Sequence, residues 1–538
     1  MVEQSHHENS GAFTVSNSTS LARVIVRQII EAGITDVVIS PGSRNAPLSI
    51  AFFEASQENL IKIHVRIDER TAAFFALGII KSTGRPVPIV CTSGTAVANY
   101  HPAVLEASHT NAPLLVLTAD RPAMLRKTGA NQTTEQARIF GKAVRYFADI
   151  DGPVYPMELP LDSLRTGPVH LNLQFDEPLL SDDSTDWLST IHVAPKEFVA
   201  RTKPATLRLV GARGVVVIGH DRGGLSVAEI TQFTKVLGWP VIAEDPLSFP
   251  DAIAHASIFL SSPEIRSTLI PQSVLVIGRT TLSRSINAFI KSSPISYVVD
   301  QRLATVDSDR QADRKFTQLP ELQGVIHSDE WIAKWNKVSD RAQKLIASLD
   351  GWNEAVIART IAATIPNETA LFVSSSRPIR DLEGFAAPRS GVYTYANRGL
   401  AGIDGNISTA LGVAIGHKAT IAVLGDLSFL HDLTGLINKE EVNCKFIVIN
   451  NDGGGIFSTL PQRGVNGFET VFGTPHGLNP AAIAAAIGVP AKQISSLKEL
   501  EAEVTAPISG ISVVVCDVPN REANADNLKN IVEKLNSI

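Results

Sequence analysis

Two short polar stretches hold the residues best suited to chemistry. Gly425-Asp426 follows the apolar run Thr420–Leu424, and Asn450-Asn451-Asp452-Gly453 follows the apolar run Lys445–Ile449. Asp426 and Asn451 stand 25 positions apart, each where a buried strand would end. A carboxylate and an amide oxygen are hard donors, suited to Mg²⁺ together with phosphate oxygens. In an open α/β sheet, ligands bind at the carboxyl ends of the strands. The spacing therefore predicts a diphosphate held through a divalent metal.

Other strand ends supply further polar groups. Asp36–Ile39 breaks into Ser40-Pro41-Gly42-Ser43-Arg44-Asn45 before a helix from about Ala46. Such a turn presents free backbone N–H groups to an anion, and Arg44 is placed to clamp a carboxylate. Asp68-Glu69-Arg70 opens the apolar helical run Thr71–Ile80. On local grounds Glu69 also reads as a helix-start acid favoured by the macrodipole. Val87–Cys91 leads to Thr92-Ser93-Gly94-Thr95-Ala96, Leu114–Thr118 to Ala119-Asp120-Arg121-Pro122, and Gly129-Ala130-Asn131-Gln132 follows. Asn397–Gly405 (N-R-G-L-A-G-I-D-G) has the glycine content of a loop that approaches a ligand closely.

These turns need a scaffold of parallel strands. A first series of strands alternating with helices runs from a helix at Ser20–Ala32 to a strand at Pro168–Leu173. Polar residues 176–206 read as a boundary. A second series has strands at Gly214–Ile218, Pro240–Ala243, Ser273–Ile277 and Ile295–Val299. A charged helical connector at 322–350 precedes a third, with strands at Ala370–Val373, Gly391–Thr394, Thr420–Leu424, Lys445–Ile449 and Ile511–Cys516. The expected fold class is α/β, with three doubly wound parallel-sheet domains at 1–182, 200–345 and 350–538.

Composition narrows the function. The 538 residues are 44% hydrophobic and carry a net charge of −6, with no basic tail or run, which argues against nucleic acid as a partner. No apolar run approaches the ~18 residues of a membrane span. The polar N-terminus lacks the order of a signal peptide. Cys91, Cys444 and Cys516 lie far apart in strand-like runs and read as buried free thiols. A cytoplasmic enzyme is expected.

The Gly425-Asp426…Asn450-Asn451 motif resembles that of thiamine diphosphate-dependent enzymes. Together with S-P-G-S-R-N (40–45), T-S-G-T-A-V-A-N (92–99), T-A-D-R-P (118–122), G-A-N-Q (129–132), N-R-G-L-A-G-I-D-G (397–405), G-D-L-S-F-L-H-D-L (425–433) and N-N-D-G-G-G-I-F (450–457), it resembles the 2-succinyl-5-enolpyruvyl-6-hydroxy-3-cyclohexene-1-carboxylate (SEPHCHC) synthase family of menaquinone biosynthesis. Leu427, where most of the superfamily has a second glycine, matches this branch. The resemblance implies pyrimidine-binding, middle and diphosphate-binding domains. It also implies decarboxylation of 2-oxoglutarate and 1,4-addition of the resulting four-carbon carbanion to isochorismate.

By the same resemblance, Asp426, Asn451 and the Gly453 carbonyl hold Mg²⁺, or Mn²⁺ in its place. Glu69 meets the aminopyrimidine of thiamine diphosphate bound to a neighbouring subunit. Ile403, Asp404, Leu427, Ser428, Ile456 and Phe457 contact the cofactor, with Ile403 as the wedge beneath it. Ser43, Arg44, Arg121, Gln132, Arg284, Ser375, Ser376, Arg380 and Arg398 contact the substrates, with Arg279 as the alternative to Arg284. Each substrate carries two carboxylates, which suits several arginines. A homodimer with active sites at the subunit interface, assembling as a homotetramer, is implied. The alternatives are a carboligase or decarboxylase of the acetohydroxyacid synthase type, and a non-catalytic metabolite-binding protein on the same fold.

Overall fold

The computed structural model describes residues 17–152, 158–181, 185–193, 203–302, 307, 311–437 and 440–537. The chain divides into two compact units. One comprises residues 1–76, 85–104 and 112–199, and the other 77–84, 105–111 and 200–538.

The first unit contains six strands: β1 (Asp36–Ile39), β2 (Lys62–Val65), β3 (Val87–Cys91), β4 (Leu114–Asp120), β5 (Tyr146–Ile150) and β6 (Val169–Gln174). They form one parallel sheet in the order β2-β1-β3-β4-β6-β5. β1, β3 and β4 are buried along their whole length, so they read as unbroken apolar runs. β5 is an edge strand with no fully buried residue, and no such run marks it in the sequence. The helix Asn17–Glu31 lays Leu21, Ile25, Ile29 and their neighbours into the core at helical spacing.

The second unit holds β7 (Thr206–Arg208), β8 (Gly214–Ile218), β9 (Val241–Ala243), β10 (Ser273–Ile277), β11 (Ser296–Val299), β12 (Arg314–Phe316) and β13 (Glu321–Gln323). β8 to β12 form a parallel sheet in the order β12-β11-β10-β8-β9, and β7 pairs with β13. A further parallel sheet contains β14 (Ala370–Val373), β15 (Tyr393–Tyr395), β16 (Thr420–Gly425), β17 (Cys444–Asn450), β18 (Ala491–Ile494) and β19 (Ile511–Asp517), ordered β15-β14-β16-β17-β19-β18. The expected connector is the strand β13 followed by the helix Asp329–Ala347. That helix and the C-terminal helix Arg521–Ser537 share a core: Trp331, Trp335 and Ile346 pack in one cluster with Val215, Val274, Ile531 and Leu535. This shared core is why the second and third strand series fall in one compact unit. The expected strand at Gly391–Thr394 begins two residues later, at Tyr393. The expected boundary at 176–206 lies partly outside the described residues.

Candidate active site

In the second unit, β16 and β17 are neighbours in register, with Gly425 opposite Ile449. Their ends bring Asp426 and the Asn450–Gly453 turn together. Asp426 is buried. One of its carboxylate oxygens accepts the Leu427 N–H at 2.7 Å, and the other accepts the Gly453 N–H at 2.8 Å. Burial raises its pKa, opposed by these N–H groups and by His476, whose Nε2 lies 3.3 Å away. Gly453 has φ 130°, and a Cβ there would stand 2.2 Å from the Gly473 carbonyl, so the turn requires glycine. Asn451 gives its Nδ2 to Glu354 Oε1 at 2.6 Å, whereas its Oδ1 is buried with no partner. A buried acceptor left open in this way suits a cation. The Asp426 carboxylate, Asn451 Oδ1 and the Gly453 carbonyl are all hard oxygen donors, and they fit Mg²⁺ or Mn²⁺ with phosphate oxygens completing the shell.

The 397–405 loop faces the same strand ends. The Ile403 carbonyl accepts the Ser428 hydroxyl at 3.0 Å and Asn406 Nδ2 at 2.8 Å, which leaves the Ile403 side chain 37% exposed. An apolar side chain held out by a pinned backbone is what a wedge under a cofactor requires. Asp404, Leu427, Ile456 and Phe457 are half-buried nearby in the chain, and Phe457 packs on Phe472 with ring centroids 5.6 Å apart. Glu106 anchors the start of the loop, accepting the Gly399 and Leu400 N–H groups at 2.8 and 2.7 Å.

Four candidate substrate residues of this unit lie on or beside the helix Arg377–Phe385 and the loop after β10. Ser375 donates to the Asn397 carbonyl at 3.3 Å, and Ser376 takes φ 74°. The Ser376 carbonyl accepts Arg380 Nη1 at 2.6 Å. Arg284 and Arg380 line a cavity of about 570 Å³ together with Ile456. Arg279 does not face it: that guanidinium sits beside Asp221 and donates to the His109 carbonyl at 3.0 Å. Burial first, and then the charges of Arg377 and Arg398, lower the Arg380 pKa. Arg398 lies deeper. It is 2% exposed, and its Nη2 meets both oxygens of Glu244, itself 1% exposed, at 2.8 and 3.1 Å.

In the first unit, the 40–45 turn is held by Asn45 Nδ2, which donates to the Ser40 carbonyl at 3.0 Å. A Cβ at Gly42 would lie 2.3 Å from Thr92 Cβ, which explains the glycine. Ser43 is exposed on this turn. Arg44 donates to the Phe175 carbonyl at 3.0 Å, with Glu177 at 3.4 Å. Arg121 donates to the Ser93 hydroxyl and the Gln132 carbonyl, each at 2.7 Å, and Gln132 Nε2 donates to the Ser93 carbonyl at 3.1 Å. Burial and then the charge of Arg44 lower the Arg121 pKa, so the two guanidiniums stand close together. Glu69 is the first residue of the helix Glu69–Thr83 and is half-buried. The preceding Asp68 accepts the Arg70 and Thr71 N–H groups at 3.0 and 3.3 Å, which frees Glu69 from capping. Its charge raises the Cys91 and Tyr100 pKa values, chiefly raised by burial.

Residues 19–139, 181–373 and 383–518 match, in order, the N-terminal TPP binding, middle and C-terminal TPP binding domain families of thiamine pyrophosphate enzymes. A SEPHCHC synthase from Thermobifida fusca (strain YX) is 38% identical over 518 residues, covering 90% of this chain and 93% of the relative. The chain belongs to the SEPHCHC synthase family. A second synthase, from Nocardioides sp. (strain ATCC BAA-499 / JS614), is 37% identical and covers 97% of this chain and 98% of its own. The solved benzoylformate decarboxylase of Polynucleobacter necessarius shares the fold with a TM-score of 0.68 at 16% identity, over 93% of this chain and 98% of that chain. As a SEPHCHC synthase family member the chain is an enzyme, a carboligase of transferase type with thiamine diphosphate domains. Among the described residues, no helix is long and apolar enough to cross a membrane. Sequence reasoning passed over Glu106, Glu244, Glu354 and His476, which hold the 399–400 backbone, Arg398, Asn451 and Asp426 from behind. Each is a lone polar residue whose partner is distant in the chain.

Proposed function

We propose that the protein joins 2-oxoglutarate to isochorismate with release of carbon dioxide, giving SEPHCHC for menaquinone biosynthesis. The observation that carries this reading is the set of guanidiniums without a carboxylate in ion-pair range among the described residues: Arg121 in the first unit, Arg284 and Arg380 in the second. Two substrates with two carboxylates each call for such a set. The name shared by the relatives supports the same substrates.

Thiamine diphosphate, when bound, supplies the stabilised carbanion chemistry of decarboxylation and carbon–carbon bond formation. The Asp426 carboxylate, Asn451 Oδ1 and the Gly453 carbonyl would hold its diphosphate through Mg²⁺ or Mn²⁺. Glu354 takes the Asn451 Nδ2, so that the amide oxygen and not the nitrogen would be left for the metal. Ile403, with Asp404, Leu427, Ser428, Ile456 and Phe457, would cradle the cofactor. Glu69 would hold a proton against the aminopyrimidine in a neighbouring subunit. Arg44, Arg121 and Gln132, with Ser43, would orient one set of carboxylates, and Arg284, Arg380 and Arg398, with Ser375 and Ser376, the other. The division at 1–182, 200–345 and 350–538, a homodimer pairing into a homotetramer, and a cytoplasmic location belong to the same proposal.

Mass spectrometry of the product formed from isochorismate, 2-oxoglutarate, thiamine diphosphate and Mg²⁺ tests the reading. A product of the SEPHCHC mass is expected. Turnover of pyruvate in preference to 2-oxoglutarate would overturn it in favour of an acetohydroxyacid synthase type.

A further inference from the structure

The cavity of about 570 Å³ has an acid in its wall beside its arginines. Glu383 lines it, on the helix Arg377–Phe385 and three residues after Arg380, so the two side chains share a face. Glu383 is 4% exposed, and neither carboxyl oxygen has a well-formed hydrogen bond, the Thr281 hydroxyl exerting only a weak pull on it. An ionised carboxylate left so is costly. Burial first, and then the charge of Glu244, raise the Glu383 pKa well above its ordinary value, against smaller opposing pulls from the Thr281 hydroxyl, Arg398 and Arg380.

The surrounding groups keep the proton there. Glu244 is held by Arg398 and accepts the N–H groups of His220 and Leu282, at 2.9 and 3.0 Å. Arg377 is engaged by Asp381 and Glu354. His255 is kept neutral by burial, with its Nδ1 2.8 Å from the Gly384 carbonyl. Of the other cations lining the cavity, Arg463 pairs with Asp526 at 2.7 Å, and Lys529 with Glu533 at 3.7 Å. Arg284 and Arg380 remain as the cations open to a ligand.

We propose that Glu383 works as a carboxylic acid in this cavity, donating its O–H to a carboxylate of the bound substrate while Arg284 and Arg380 neutralise that carboxylate's charge. The proton stays on Glu383 throughout. An O–H···O⁻ bond of this kind is short and strong. It adds a carboxylate-selective contact without a further cation beside Arg380. The proposal rests on the reading of this cavity as the dicarboxylate site.

Glutarate, a five-carbon dicarboxylate with no keto group to react, is the probe. It is titrated by calorimetry into the full chain loaded with thiamine diphosphate and Mg²⁺, from pH 6 to 10. Wild-type affinity should hold while Glu383 keeps its proton, then fall about tenfold per pH unit above that point. Glu383→Gln, which keeps an N–H donor, should bind within about threefold of wild type at pH 6 and lack the fall. Glu383→Ala should bind about tenfold or more weakly, as for a lost hydrogen bond to a charged group. Infrared difference spectra should show a protonated-carboxyl stretch that shifts on adding glutarate and is missing from Glu383→Gln. Wild-type affinity in Glu383→Ala, or no such band in wild type, overturns the proposal. If product forms normally from the two substrates, that failure concerns Glu383 alone. If wild type neither makes product nor binds glutarate, the reading of the site falls with it.

Discussion

Replacing Arg398 by alanine should destabilise the fold before it says anything about substrate. Arg398 and Glu244 are 2% and 1% exposed, with Nη2 at 2.8 and 3.1 Å from the two carboxylate oxygens. Truncation leaves Glu244 buried with only the His220 and Leu282 N–H groups, at 2.9 and 3.0 Å, and with Glu383 as a neighbouring acid. Losing one partner of a buried pair costs about 3–5 kcal/mol, and the two remaining donors place this case near ~3 kcal/mol. Glu244→Gln should cost a comparable amount, because it strands the guanidinium. The double variant Arg398→Met/Glu244→Gln removes both charges and should recover most of the loss, giving a coupling of about 2 kcal/mol or more. Urea denaturation followed by tryptophan fluorescence reports it, since Trp331 and Trp335 lie in a core cluster of the same unit. An Arg398→Ala midpoint equivalent to less than about 0.5 kcal/mol of loss would refute the reasoning. So would a double variant no more stable than either single one. A raised Michaelis constant in Arg398→Ala counts as a lost substrate contact only beyond what this unfolding explains.

Glu69→Gln should keep the fold, because Asp68 and not Glu69 caps the helix, yet lower turnover by roughly 10²–10⁴; near-normal turnover would remove Glu69 from the chemistry. Gly453→Ala places a Cβ 2.2 Å from the Gly473 carbonyl and should weaken thiamine diphosphate binding with Mg²⁺ by about tenfold or more, read by calorimetry. Unchanged affinity would mean that the turn does not hold the metal. His170, fully buried, has its pKa lowered from 6.5 to about 3 by burial. The unfolded chain therefore takes up a proton that the folded one refuses, so stability is lost as pH falls from 6.5 towards 3, by up to about 5 kcal/mol. His170→Gln should flatten that acid limb in denaturation curves at pH 6.5 and 4.5, and an unchanged slope would contradict the assignment.

The central strands and their polar ends were legible because burial on both faces writes them as apolar runs broken by glycine, proline or asparagine. β1, β3, β4, β14 and β16 to β17 all have that character. β5, β12 and β18 were not, because their exposed and polar residues leave no such run. Asp426 and Asn451 were legible for the same reason, each standing at the end of a readable strand. Glu244 was hidden because its partner Arg398 is 154 positions away, and Glu354 because Asn451 is 97 away. A lone acid in sequence looks like a solvated one until the fold supplies its neighbour.

That difference gives a rule for sorting the arginines that motif reading alone treats as equals. Arg398 has Glu244, and Arg377 has Glu354 and Asp381, and the three acids are buried. A guanidinium whose charge is already matched inside the protein orients loops and ligands, and a substrate carboxylate can take it only by displacing its acid. Arg121, Arg284 and Arg380 have no carboxylate within ion-pair distance among the described residues, and Arg121 and Arg380 are crowded by other arginines. Crowded, partly buried cations without an ion-pair partner are costly and are relieved by an anionic ligand. Glu383 completes the pattern from the other side. It is an acid placed among arginines that does not pair with them, because ionising would cost more than the pairing returns. The cavity thus keeps its positive charge for what enters it, and alanine scanning should divide the arginines accordingly. Arg284 and Arg380 should lose substrate affinity at unchanged stability, and Arg377 and Arg398 should lose stability first.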